Sequence, residues 1–407
     1  MVRSFSNAIA RAARSAKGQR TPREERMSSI EKVEFYRHAL QEADVEEVRR
    51  VLGTLFLTTG PVTKRFEEKF AAYLGRSHAV GTTSCTASLF LSLAALGIGP
   101  GDEVIVPAQT FIASANVIVH AGATPVLVDV EPDTALIDPA RVAAAITPRT
   151  KAVIPVHLYG QMADMRALHD LCAPRGIALI EDAAHGPEAR RDGVAPGELG
   201  TTASFSFYAT KTLTCGEGGA VATDDPALDE RLRKLRSHGM SKNAADRYTA
   251  RYQHWDMELL GYKANLPDVL AALLVHQIDR IDAQRDRREA ICQRYEAAFA
   301  ELPGVDYPKI VEGSRSARHL FTIWVPADHR DEALVDLQER GIGVAVNYRA
   351  IHLLTYYRDL LGFERGAFPN AESIGDRTIS LPLYPGLTDP EVDRVIEAVR
   401  AVSERWR

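Results

Sequence analysis

The sequence predicts an α/β protein whose larger part has a mostly parallel sheet, of the seven-stranded type, packed between helices. A smaller α+β domain is expected at the C-terminus. Helical and apolar strand-like segments alternate in its first half: helix 84–96, strand 103–107, helix 113–121, strand 125–129, helix 139–146, strand 151–156, helix 162–172 and strand 177–182. Continuous apolar strands separated by helices are typical of a parallel sheet that is covered on both faces. Ligands of such sheets bind beyond the carboxyl ends of the strands.

The segments on either side of this alternation predict the rest of the chain. Before it, the later half of 31–51 has helical spacing with Asp44 as the expected cap, and 66–73 is helical after a break at 57–61. After it, the pattern predicts strand 220–223, helix 228–235, a mostly helical stretch 266–300, strand 319–325, helix 331–340, strand 343–347 and helix 390–402. We therefore expect a large domain over 27–285, with an N-terminal arm, and a small α+β domain over 286–407.

Residues 1–26 differ in composition from the rest of the chain. They carry seven basic residues and no acidic residue before Glu24. An organelle presequence has such a composition, and so does a disordered basic tail upstream of a true start at Met27. We favour the disordered tail and leave it out of the fold prediction.

Composition and charge exclude several classes of protein. The 407 residues carry 49 Lys and Arg against 54 Asp and Glu, a net charge of −5, so neither nucleic acid nor a membrane is expected as a partner. The four cysteines are far apart and form no C-x-x-C pair, which is typical of reduced thiols in a cytoplasmic protein. No H-E-x-x-H pattern occurs, and we expect no metal site.

The stretch 204–220 places a single lysine between a strand-like run and a glycine-rich turn. Burial or a neighbouring cation can lower the pKa of a lysine and free its amine for a Schiff base. Taken alone, Lys211 is more readily a solvated turn lysine, with Gly216–Gly219 as a loop that needs positive φ angles.

Two further features lie at predicted strand ends. Small residues at 83–88 open an apolar helix, where exposed amides suit a phosphate, although Ser84 could simply be the helix cap. Asp182 ends a buried strand, where a carboxylate could keep a heteroaromatic nitrogen protonated or could cap a helix. A phosphate cradle, a pyridinium partner and a Schiff-base lysine, in this order, are the groups that pyridoxal phosphate (PLP) requires.

Ordered motifs cover most of the chain from 35 to 402: 57–61, 84–89, 97–104, 110–111, 155–160, 181–185, 205–207 with Lys211, 216–219, 261–265 and 381–384. On these motifs the chain resembles the DegT-type nucleotide-sugar aminotransferases, which are fold type I PLP enzymes of the aspartate aminotransferase superfamily. The motifs are specific for the family and much less so for its substrates.

The resemblance implies a role for each matching residue. Lys211 would form the internal aldimine and move protons, Asp182 would pair with the pyridine nitrogen, and Phe111 would stack on the ring. Cys85, Thr86 and Ser206 would hold the phosphate, and His185 would lie beside the ring. Asn265 would reach the phosphate of a neighbouring subunit, which implies a homodimer with shared active sites. Thr59, Tyr348 and His352 would contact substrate.

Some of these residues have structural alternatives. His185 could be a core histidine, Asn265 an ordinary helix cap, and Tyr348 and His352 could simply pack between the domains. Cys85 stands where relatives usually have Gly, so its side chain would be strained if the turn needs a positive φ.

The activity implied is transfer of an amino group from an amino acid, most often glutamate, to a nucleotide-linked keto sugar. The 261–265 motif and the loop 347–357 favour a 4-keto-6-deoxy hexose, for surface polysaccharide or glycoconjugate synthesis in the cytoplasm. A 3-keto sugar or a cyclitol ketone stays open as the acceptor, and so does a non-catalytic regulatory protein on the same fold. The retained Lys211 argues against the family's dehydratases.

Overall fold

The computed structural model describes residues 31–241 and 254–406, so the predicted tail 1–26 lies outside the described residues. The strands are β1 His78–Thr82, β2 Glu103–Pro107, β3 Thr124–Val128, β4 Thr150–Val153, β5 Ala178–Asp182, β6 Arg190–Arg191, β7 Thr202–Ser206, β8 Gly219–Thr223, β9 Ser314–Arg315, β10 Phe321–Trp324 and β11 Thr378–Leu381. The α-helices are α1 Glu42–Leu52, α2 Pro61–Leu74, α3 Cys85–Ala95, α4 Ala113–His120, α5 Pro139–Ala145, α6 Met165–Cys172, α7 Pro226–Leu235, α8 Asp268–Val275, α9 Ile281–Phe299, α10 Arg330–Glu339, α11 Thr355–Leu361, α12 Pro369–Arg377 and α13 Asp389–Ser403. Among the described residues, no helix has the length and apolar character needed to cross a membrane.

Seven strands form the central sheet in the order β1-β8-β7-β5-β4-β2-β3. The pairs β2–β3, β2–β4, β4–β5 and β5–β7 are parallel, whereas β8 runs antiparallel to both β1 and β7. The predicted mostly parallel α/β sheet is therefore confirmed. Its parallel strands end at one edge, where Asp182 of β5 lies opposite Ser204 of β7.

Strand β2 shows why the strands are apolar without interruption. Val104 and Val106 are fully buried in the core that contains Leu89 of α3 and Val117 of α4. Ile105 points to the other face, into the core that contains Leu168 of α6. Because successive side chains point to opposite faces and helices cover both, every position of the strand is buried.

The first helix begins two residues before its predicted cap. Gln41 is the N-cap, and Asp44 is the third helical residue, whose carboxylate accepts a hydrogen bond of 2.7 Å from the Gln41 amide. Asp44 is fully buried and forms an ion pair with Arg280. The cap prediction was wrong by one turn because Asp44 bonds back to the helix start from inside the helix.

The C-terminal part has its own core, around the antiparallel pair β10–β11 and helices α9, α10 and α13. The predicted strand 343–347 is not formed, since only Ala345 makes an isolated bridge, to Ser380. The segment is a loop, and the carbonyls at its end are bound by the side chains of Gln109 and Tyr159. Gln109 Nε2 donates to the Tyr348 carbonyl over 2.9 Å, and the Tyr159 hydroxyl donates to the Asn347 carbonyl over 2.7 Å.

Candidate active site

A cavity of about 550 Å³ opens at the carboxyl ends of β5 and β7. Most of the residues predicted for cofactor binding, and one predicted for substrate, line it: Cys85, Thr86, Phe111, Asp182, His185, Ser206, Lys211 and Tyr348. They come together because the parallel strands end at one edge and the helix that follows β1 starts there too. Thr59, Asn265 and His352 lie elsewhere.

Lys211 lies in the turn between β7 and β8, where its amide donates to the Tyr208 carbonyl over 2.9 Å. Burial lowers the pKa of its amine to about 8, although the nearby Asp182 and Cys85 favour the charged form. A larger share of this lysine is therefore neutral near pH 7 than of an ordinary lysine, and the neutral amine is the nucleophile.

The Asp182 carboxylate is buried and held from two sides. The Ser114 hydroxyl donates to Oδ2 over 2.7 Å, and the amide of Ala184 donates to Oδ1 over 3.1 Å. The Cys85 thiol approaches Oδ1 at 3.8 Å, a weak contact. A carboxylate oriented in this way has lone pairs left to accept a hydrogen bond from a protonated ring nitrogen.

The N-terminus of α3 supplies free amides at another part of the lining. The Ser84 hydroxyl caps the Ala87 amide at 3.1 Å, and its carbonyl accepts from the Ser88 amide at 3.0 Å. The amides of Cys85 and Thr86, the first two of the helix, have no carbonyl one turn earlier to bind. Such amides suit a phosphate.

Gly219 lets β8 pass close to this helix start. A Cβ atom there would lie 2.4 Å from the Ser84 carbonyl carbon and 2.6 Å from the Cys85 nitrogen. The strain considered for Cys85 does not arise, because Cys85 is the first helical residue of α3 and is not among the residues with positive φ. Burial and then Asp182 raise the pKa of the Cys85 thiol well above its ordinary value, so it is not a thiolate.

His185 is neutral and its tautomer follows from its partners. Burial, reinforced by the charge of Lys211, holds its pKa well below the ordinary value. Its Nδ1 accepts from the Tyr159 amide over 3.1 Å, so the hydrogen is on Nε2, which lies 3.3 Å from the Tyr348 hydroxyl. The Tyr348 ring lies 5.5 Å from Phe111, which is half exposed and offers a flat apolar face to the cavity.

These groups fit PLP on their own chemistry. Free helix amides and Ser206 suit its phosphate, a buried carboxylate suits its ring nitrogen, an aromatic face suits its ring, and a partly neutral lysine suits its aldehyde. Each group is on a different element of the same cavity.

Sequence reasoning missed His319, which lies just before β10. Its Nε2 is 3.4 Å from the Lys211 amine. It lies 108 residues from Lys211 in the sequence, and a single histidine next to an apolar strand gives no signal of a site.

Thr59 and Asn265 lie together, away from the cavity. The Asn265 side-chain amide donates to the Thr59 hydroxyl over 2.6 Å, and that hydroxyl donates to the Leu266 carbonyl over 2.6 Å. Both side chains are partly exposed. Their roles toward substrate and toward a neighbouring subunit stay predictions.

His352 does not reach the cavity, contrary to its predicted contact with substrate. It is fully buried, its Nε2 lies 2.9 Å from Glu372 of α12, and its ring lies 4.8 Å from Phe368. The short 3₁₀ turn Ile351–Leu353 directs it into the protein interior. The structure therefore favours packing in the protein interior over substrate binding as the role of His352.

Replacing His352 with Ala is expected to destabilise the fold by about 3 kcal/mol, because Glu372 then loses the partner of a buried pair. Urea unfolding of the variant measures this loss. The Michaelis constants should stay at the wild-type values, and a clear rise in the constant for the sugar would contradict the placement. His329→Ala, at a half-exposed position on the surface, is the matched control.

Comparisons with known proteins show which family the chain belongs to. The family model described as the DegT/DnrJ/EryC1/StrS aminotransferase family matches residues 38–400. The spore coat polysaccharide biosynthesis protein SpsC of Bacillus subtilis is 44% identical over 365 residues, which cover 88% of this chain and 94% of SpsC.

Two solved structures show the same fold. The S. venezuelae DesV structure, in complex with a ketimine intermediate, is 40% identical with a TM-score of 0.83, and covers 89% of this chain and 94% of its own. The PLP form of the putative sugar aminotransferase Spr1654 from Streptococcus pneumoniae is 33% identical with a TM-score of 0.86, and covers 92% of this chain and 99% of its own.

Proposed function

Since the chain belongs to the DegT/DnrJ/EryC1/StrS aminotransferase family and is a PLP-dependent sugar aminotransferase, we propose that it moves the amino group of glutamate to a nucleotide-linked keto sugar. The acceptor we propose is a 4-keto-6-deoxy hexose. Its product would serve surface polysaccharide or glycoconjugate synthesis.

The observation that carries a catalytic role is the pairing of Lys211 and Asp182 in one cavity. The lowered pKa leaves part of the Lys211 amine neutral, and the neutral form is the one that can bind the aldehyde and take up a proton. Bound PLP supplies an electron sink that makes a carbon–hydrogen bond of the attached substrate acidic. The chain's part is to hold the ring with Asp182 and to move the proton with Lys211, whose pKa of about 8 is near the neutral range that suits a general base.

The remaining residues orient the reactants. His185 is neutral, with its single hydrogen on Nε2 toward the Tyr348 hydroxyl, so it orients Tyr348 and is not the base. Burial raises the pKa of the Tyr348 hydroxyl, so it stays protonated and can donate to a sugar oxygen. Phe111 and Tyr348 together form an aromatic wall for flat rings.

The size of the cavity and the relatives support a sugar acceptor. About 550 Å³ lies within the range of pockets that hold small molecules, and it is more space than a single pyridine ring fills. SpsC is named for spore coat polysaccharide synthesis, which supports a product destined for a polysaccharide. The 4-keto-6-deoxy class rests on the 261–265 motif and on the loop that carries Tyr348.

The charges of the cavity support a homodimer with shared active sites. Among the described lining residues, Lys211 is the only amine or guanidinium, whereas Asp182 and Glu217 are carboxylates. A nucleotide diphosphate needs additional cations or donors, and we propose that a second copy supplies them, including Asn265 at the phosphate. The four free, buried thiols support a cytoplasmic location.

The test is the absorbance spectrum of the purified protein, first with glutamate and then with candidate keto sugars. Glutamate is expected to remove the band of the lysine-bound cofactor, and a nucleotide-linked 4-keto-6-deoxy hexose to restore it. A 3-keto sugar or a cyclitol ketone that restores the band instead would replace the proposed acceptor. A band that glutamate leaves unchanged would rule out glutamate as the donor.

A further inference from the structure

His319 lies next to Lys211 but is not among the residues that line the cavity. Lys211 lines both the cavity and a second space of about 30 Å³, whereas His319 lines only the second. Its Nε2 is 3.4 Å from the Lys211 amine, and its ring centre is 4.5 Å from that of His185. A nitrogen base therefore lies within reach of the Lys211 amine, outside the lining of the cavity in which the cofactor would bind.

The backbone around His319 is held from two directions. Its amide donates to the Tyr159 carbonyl over 3.2 Å, and Gly160 passes so close that a Cβ atom there would lie 3.0 Å from that amide. The preceding Arg318 has a φ of +49° and is fixed to α9 by ion pairs with Glu289 (2.9 Å) and Glu296 (2.8 Å). An arginine keeps a left-handed backbone conformation only where its surroundings hold it. The contacts of Arg318 therefore fix the position of the neighbouring His319 ring.

The charges around His319 make it an acceptor. The groups that face it are Lys211, His185, Arg288, Tyr36, Arg37, His38 and Tyr384. Burial, followed by the charges of Lys211 and other neighbours, holds the pKa of His319 well below its ordinary value. A neutral imidazole next to a protonated amine can accept its hydrogen bond.

We propose that His319 is a positioning residue whose Nε2 accepts a hydrogen bond from the Lys211 amine whenever the lysine is not joined to the cofactor. This inference rests on the proposed role of Lys211. A released lysine has four flexible bonds and would otherwise sample many positions. Held by His319, it stays next to the cavity, ready to take the proton and to return.

The test measures, at a series of pH values, the rate at which the cofactor-free protein binds PLP covalently. The absorbance of the bound cofactor reports this rate. Only the neutral amine reacts, so the midpoint reports Lys211 and is expected near pH 8 in the wild type. His319→Phe removes an acceptor that stabilises the charged amine, so its midpoint should fall by about one pH unit. His319→Gln, which can place an oxygen near the Nε2 position, should stay near the wild type.

Each outcome decides the proposal. An unchanged midpoint in His319→Phe, with a slower rate at every pH, would mean that His319 only fills space. His329→Phe, at a surface histidine, controls for loss of a histidine as such. Failure of the wild type itself to bind PLP covalently would instead remove the role of Lys211.

A second measurement needs no apolar variant. In the wild-type protein near pH 7, ¹⁵N spectra of labelled histidines, with His319 assigned through His319→Gln, should show a bare Nε2 and a hydrogen on Nδ1. A hydrogen on Nε2 at that pH would overturn the proposal, because the protonated lysine could not then donate to it.

Discussion

Lys211→Ala is expected to lower the transamination rate by at least about a thousandfold and to abolish the covalent attachment of PLP. The variant loses both the amine that joins the aldehyde and the base that moves the proton, and general-base catalysis alone contributes about 10²–10⁴-fold. Steady-state kinetics measure the rate, and borohydride reduction followed by mass spectrometry measures the attachment.

Two controls make the result specific to the amine. Lys309→Ala removes a surface lysine that pairs with the exposed Asp133, and should behave as the wild type. Small primary amines added to Lys211→Ala should restore part of the rate, since the cavity has room for them once the side chain is removed. A variant that kept a tenth of the wild-type rate would rule out Lys211 as the base.

Asp182→Asn is expected to lower the rate by about a hundredfold or more while leaving the fold intact. Its amide oxygen can still accept from Ser114 or Ala184, but its charge no longer keeps the ring nitrogen protonated. Loss of one preorganised electrostatic partner from an active site costs about 10²–10³-fold. Kinetics with saturating PLP separate this loss from weakened cofactor binding.

The spectrum gives a second readout for Asp182→Asn. Because the electronic state of the ring depends on the protonation of its nitrogen, the band of the bound cofactor should shift in this variant. Asp133→Asn, at an exposed carboxylate, is the matched control. A rate within threefold of the wild type would show that Asp182 does not support the ring.

The sequence predicted elements whose signal is local. Strand β2 was predicted with its observed bounds, since three branched apolar residues lie between Gly101 and the proline at its end. Strand β1 was missed because His-Ala-Val-Gly-Thr has a single valine and a glycine, and its pairing with β8 is set by residues far away in the sequence. Strand 343–347 was wrongly predicted because Val344 and Val346 suit a strand, while the carbonyls that follow bind side chains of the large domain.

The same division holds for the site. The sequence predicted that Lys211 and Asp182 lie close together because each follows an apolar run, and the structure places both in the lining of one cavity. His319 was not predicted. Its position depends on the left-handed backbone of Arg318 and on the close approach of Gly160 to its amide, and neither feature has a sequence pattern. Packing of His352 was one of the two alternatives, but its partner Glu372, twenty residues further on, has no sequence signal that would have decided between them.

The edge position of β1 has a consequence for synthesis of the chain. Among the strands of the described residues, β1 pairs with β8 alone, and His78 lies opposite Thr223, so 145 residues must follow His78 before this pair can close. At a translation rate of 5–20 residues per second, this takes roughly 7 to 30 s. During that time the ribosome-bound chain carries an unpaired strand edge, and chaperones have their longest opportunity to bind it.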